Sequence, residues 1–77
     1  YMLYTPELIE ELKILTHYNL DTSQEGIKVH SSADPLVVAA TRRLFDKDLV
    51  SQSDGGYLTS LGRTAAEHAQ NLLLILK

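Results

Sequence analysis

Few residues in this chain could do chemistry, and they are scattered. The three histidines, His17, His30 and His68, lie in separate stretches. None stands at a local spacing from a nucleophile that would suggest an activated pair. His30 and Asp34 are four apart and could share a cation, but a zinc site needs further ligands, and no third one is at hand. Asp46, Asp48 and Asp54 have the look of a calcium loop. With Asp46 as its first position, however, the required Gly falls on Ser51 and the required Glu on Tyr57. Gly55-Gly56 is not followed by Lys-Ser or Lys-Thr, so the phosphate-loop pattern is missing. The chain has no cysteine, which removes thiol catalysis, disulfides and cysteine zinc sites together. The expectation is a protein that is not an enzyme and holds no cofactor.

What remains is binding. Seventy-seven residues make a single domain, 1–77, with a thin core of marginal stability. The charges are 7 basic against 10 acidic, a formal −3. That balance lacks the basic footprint from which nucleic-acid binders draw most of their non-specific affinity. The opening YMLYTPELIEELK is broken by Pro6 and by acids, unlike a signal peptide. The longest fully apolar run, Leu72–Leu76, is far too short to span a bilayer. A cytoplasmic protein away from membranes is expected.

The elements that must position any binding residue can be read from caps and periodicity. A first helix starts at Thr5 (N-cap) and Pro6 (first helical position) and stops before Asn19, with Leu8, Ile9, Leu12 and Leu15 as its buried face. Between 22 and 30 a short helix capped by Thr22 or Ser23 is favoured, although Ile27-Lys28-Val29 would also serve as a strand. Ser31–Asp34 reads as a turn. Asp34 then caps a helix through PLVVAATRRLFDKDL, with Val37, Val38, Ala40, Thr41, Leu44 and Phe45 inward and Leu36, Ala39, Arg42, Arg43, Asp46 and Lys47 outward. Asp54-Gly55 is a hairpin signal between LVSQ and YLT, with Val50 and Leu58 inward. Thr59 caps a last helix whose stripe is Leu61, Ala65, His68, Ala69, Leu72, Ile75 and Leu76. This places His68 in the core and leaves Leu73 and Leu74 as surplus apolar residues.

The order helix, short helix, turn, helix, hairpin, helix resembles a winged helix-turn-helix domain: mainly α with a small β-hairpin, built as a three-helix core, a wing and a C-terminal helix. The likeness is densest in RRLFDKDLVSQSDGGYLTSLGRTAAEHA, where Leu49-Val50 and Leu58-Thr59-Ser60-Leu61-Gly62-Arg63 match. The Gly usual before Leu-Val is replaced by Asp48, which must then adopt a left-handed conformation. The whole chain also resembles a small bacterial family of uncharacterised single-domain proteins, sometimes labelled DNA-binding, through Tyr4–Leu8, Gly26–His30, Ala33–Pro35 and Asp54–Arg63.

The winged-helix resemblance implies that the start of the second long helix enters the major groove of duplex DNA. Ser31, Ser32, Ala39, Arg42, Arg43 and Lys47 would then be the contacts, with Arg43 on a guanine edge. Against this stand the acidic balance and the Asp54 wing tip. The other expectation is a homodimer, or an interaction with another protein, through Leu73 and Leu74 of the last helix.

Overall fold

The computed structural model describes residues 3–22 and 25–77. Three helices and three short strands follow in the order α1 (Pro6–His17), β1 (Ile27–Lys28), α2 (Pro35–Asp46), β2 (Val50–Gln52), β3 (Gly55–Leu58) and α3 (Ser60–Leu76). Each helix begins where its cap residue dictates. The Thr5 hydroxyl accepts from the Leu8 N–H at 3.2 Å, the Asp34 carboxylate from the Leu36 N–H at 2.9 Å, and the Thr59 hydroxyl from the Gly62 N–H at 3.0 Å. Pro6 and Pro35 sit in the first helical turn, where the missing N–H is no loss.

The short helix expected over 22–30 does not form in the described part of that segment, and its candidate residues Ser23 and Gln24 lie outside the described residues. Ile27 and Lys28 are instead an edge strand, paired antiparallel with Gly56 and Gly55. Gly26 weakens a helix, whereas the β-branched pair around Lys28 favours an extended chain. Gly55 makes the pairing possible. It is buried with φ +121°, and a Cβ there would stand 2.5 Å from the Ile27 carbonyl oxygen. The sheet is antiparallel with order β1-β3-β2. A bulge between Val50 and Gln52 shifts the β2–β3 register, and the Ser51 hydroxyl accepts from the Tyr57 N–H there at 2.9 Å. Val50 faces inward and Tyr57 outward.

The core is Ile14, Leu15 and Tyr18 of α1 and its end, Ala40 and Leu44 of α2, Val50 of β2, and Ala66 and Ala69 of α3. Three faces differ from the sequence expectation. On α2, Phe45, expected inward, is 40 % exposed. On α1 the buried positions are Glu11, Ile14 and Leu15, so the face is turned away from Leu8, Ile9 and Leu12, which remain partly exposed. On α3 the buried positions are Gly62, Ala66 and Ala69. His68 is exposed and not a core histidine, and Leu61, Leu72, Ile75 and Leu76 are exposed with it. The reason is steric. A face of small residues lets a helix axis come closer to its neighbours than a face of leucines, so α3 packs on its smallest side.

The Leu58–Arg63 segment is where these elements are fastened. The Thr59 hydroxyl donates to the Asp48 carbonyl at 2.6 Å while accepting from Gly62. The Thr59 N–H donates to the Leu49 carbonyl at 3.1 Å. A Cβ on Gly62 would collide with that same Leu49 carbonyl. The Arg63 guanidinium donates to the carbonyl of Leu20. Asp48 takes φ +64° and ends α2 in a Schellman arrangement, with the Leu49 N–H on the Leu44 carbonyl at 2.9 Å.

Two substitutions test this joint by denaturant unfolding. Gly62→Ala should destabilise by about 2 kcal/mol or more, because backbone atoms must part to admit the methyl. Asp48→Gly should stabilise by about 0.5–1 kcal/mol, since glycine adopts the left-handed cap without strain.

Candidate functional site

Two surfaces compete for a functional role. The first is the polar side of α2 with the turn before it. Ser31, Ser32 and Arg42 are exposed there, whereas Ala39, also exposed, lines a depression at the start of α1 with Pro6, Glu7, Leu36 and Arg43. Arg42 leans back on Asp46 at 3.5 Å, with both side chains well exposed, a pairing of small energetic weight. Beside it lies a 420 Å³ cleft between β1, α2 and the hairpin tip, lined among others by Lys28, His30, Ser31, Arg42 and Asp54. The tip does not project freely, because the Val29 N–H donates to the Asp54 carbonyl at 2.7 Å.

Arg43 and Lys47 do not belong to this surface, and here the sequence expectation is corrected. Both turn toward α1 and converge on Glu11. Arg43 Nε donates to one carboxylate oxygen at 2.9 Å and Lys47 Nζ to the other at 2.5 Å. A second guanidinium nitrogen of Arg43 donates to the Glu7 carbonyl at 3.1 Å. The Glu11 side chain is only 6 % exposed. Burial alone would raise its pKa, but the hydrogen bonds and charges of Lys47 and Arg43 outweigh that and hold it below the ordinary value. Two of the cations assigned to DNA are therefore occupied in joining α1 to α2. A signal for this was present in the sequence: Glu11 stands three residues before Ile14 and four before Leu15 on a buried stripe, and a carboxylate there demands cationic partners.

A second internal tie is Tyr18. Its hydroxyl donates to the Gly56 carbonyl at 3.1 Å, linking the end of α1 to β3, and burial pushes its pKa up to about 12. Gln70 of α3 caps the same end of α1, donating to the carbonyls of Leu15 and Tyr18 at 3.2 and 2.8 Å.

The second surface is apolar. Ile9, Leu12 and Thr16 of α1 face Ala69, Leu72 and Leu73 of α3 across a groove of 230 Å³. Leu73 lies in this groove, 38 % exposed, and with Leu74, 77 % exposed, also lines an adjoining depression with Thr16, Gln70 and Lys77. The two leucines assigned to a dimer interface thus adjoin each other at the end of α3, Leu74 the more exposed. Leu61, Leu72, Ile75 and Leu76 are exposed as well, so the last turns of α3 are apolar around most of their circumference. Soluble monomers rarely expose contiguous apolar surface on this scale.

Among the described residues no group of three or more His, Cys, Asp or Glu could hold a metal ion; Asp34 serves as a helix cap instead. No helix there is long and apolar enough to cross a membrane.

The architecture is thus a mainly helical unit with a small antiparallel sheet. The chain belongs to a family of unknown function, DUF5669, whose sequence profile matches residues 2–77. No curated protein and no solved structure matches it.

The two arginines should separate in measurement. Arg43→Ala should lower stability by about 1–3 kcal/mol, because it strips one cation from a buried carboxylate. Arg42→Ala should change stability by less than about 0.5 kcal/mol. The pKa of Glu11 is lowered on folding, so its contribution is full above the unfolded-chain value of about 4.3 and is lost as pH falls through the lower folded value. Chemical unfolding between pH 7 and 3 should show a shallower acid loss in Glu11→Gln than in the parent.

Proposed function

We propose that this chain is a winged-helix-like module that works by docking protein against the α1–α3 face. The observation that carries the reading is that face itself, with Ile9, Leu12, Leu72 and Leu73 lining a groove and Leu61, Ile75 and Leu76 exposed along the same helix. The winged-helix likeness is supported by the helix, hairpin and helix order from α2 to α3 and by the cap geometry of Leu58–Arg63. In place of the first helix of the helix-turn-helix stand β1 and a turn closed by the Ala33 N–H on the His30 carbonyl at 2.9 Å.

DNA contact is the second reading, and one observation favours it. Lys28, His30 and Arg42 converge on the cleft beside α2, with Ser31 at its rim. Against it, Arg43 and Lys47 are held by Glu11, Arg42 is paired with Asp46, and the formal charge is −3. Few cations are left for phosphate, and phosphate contacts supply most of the affinity of such complexes.

Titration of a mixed-sequence duplex at two salt concentrations separates the readings. The interaction-module reading predicts no binding tighter than about 10⁻⁴ M near physiological salt, which is the weak end of non-specific association. Tight binding with a steep salt dependence, weakened by Arg42→Ala, would overturn it in favour of DNA.

A further inference from the structure

α3 carries two heptad-spaced stripes side by side. The inner one, Gly62, Ala66, Ala69 and Leu73, advances by four, three and four and faces the body of the protein, its first three residues buried. The outer one, Leu61, Ala65, His68, Leu72 and Ile75, advances by four, three, four and three. It faces away: Leu61 is 57 %, Leu72 49 % and Ile75 80 % exposed, and only Ala65 is half-buried. A stripe with this spacing over about 21 Å is the seam one helix offers to another. The flanking positions are Thr64 and Asn71 on one side and Gly62, Ala69 and Leu76 on the other. Seam and flanks contain no Asp, Glu, Lys or Arg, so nothing there adds to the mutual repulsion of two chains of the same net charge.

We propose that the occupant of this seam is a second copy of the chain, its α3 antiparallel to the first about a twofold axis at the level of Gln70. The inference rests on the interaction-module reading and names its partner. In this register Ala65 lies beside the partner's Ile75, and His68 beside the partner's Leu72, while Leu61 falls outside the overlap of the two helices. Each contact recurs by symmetry, as an isologous interface requires. In the Ala65–Ile75 layers small meets large, so these layers fill evenly. A parallel pair would set Ala65 against Ala65 and leave a gap, and it would align the two helix dipoles unfavourably. The antiparallel pair also covers Ile75 and Leu76, two of the most exposed residues of α3. A stable dimer covers about 800 Å² per partner, roughly a seventh of the 5494 Å² surface of this chain. One helix stripe is narrow for that, and the neighbouring Ile9 and Leu12, which share the groove with Leu72, widen the apolar face.

The chain has no native cysteine, which makes disulfide mapping direct. Ala65→Cys and Ile75→Cys proteins are prepared singly, checked for parental thermal stability, and oxidised mildly alone and as a mixture. The antiparallel register predicts a linked heterodimer from the mixture and little linkage from either alone. Efficient linkage of each variant with itself would overturn the register in favour of a parallel pair. Association without linkage in any sample would remove the seam. Sedimentation equilibrium of the parent should show a dimer that Leu72→Glu weakens about 100-fold or more. A parent that stays monomeric at high micromolar concentration would overturn the second copy as occupant, whereas the interaction-module reading itself stands or falls on the duplex titration.

Discussion

A single buried carboxylate decides how this molecule is put together. Glu11 lies on the inward face of α1, where an unpaired charge would be prohibitively unfavourable. The two cations within reach both come from α2, Arg43 and Lys47. Their fixed geometry sets the angle and register of α1 on α2 more sharply than aliphatic packing alone would. It also has a functional side. Drawn inward, these cations leave the exposed polar side of α2 with Arg42 as its chief positive charge, already beside Asp46. The constraint that orders the fold thereby removes electrostatic character from the surface that the winged-helix resemblance would assign to nucleic acid.

The other constraint is how close α3 must come. Thr59 holds the start of α3 against the end of α2, and Gly62 lies so near Leu49 that even a methyl group is excluded. Once the helix begins there, its inward positions are fixed by helical geometry, and they fall on Gly62, Ala66 and Ala69. Leu61, one residue before Gly62, and Leu72, Ile75 and Leu76 further on are turned outward. The exposed apolar seam is therefore the geometric complement of a close contact elsewhere on the same helix.

Much of this was legible from local sequence. Thr5, Asp34 and Thr59 mark helix starts through hydrogen bonds that span three residues or fewer, and Asp48 and Gly55 announce positive φ. What depended on distant partners was less legible. Leu8, Ile9 and Leu12 look like a core face until Glu11 finds Arg43, and Leu61 to Leu76 look like a buried stripe until Gly62 fixes the rotation of α3. Both errors are a turn of one residue about a helix axis, and composition favoured the larger side chains each time. Ile27-Lys28 became a strand because β3 was there to pair with it. In the structure the Leu58–Arg63 segment serves capping and close packing, which is why it speaks to architecture more than to a ligand.

The fastening at Thr59 has a consequence for the order of assembly. It joins residues only 11 apart in sequence, whereas Glu11 and Arg43 are 32 apart. Closing the longer loop costs about 1 kcal/mol more in chain entropy before any contact is gained. Contacts among the end of α2, the hairpin and the start of α3 are therefore the less costly to close, and those that bring α1 onto α2 the more costly. Because α1 and α3 pack on each other in the finished fold, any loosening of α1 would uncover the inner stripe of α3 beside the outer one.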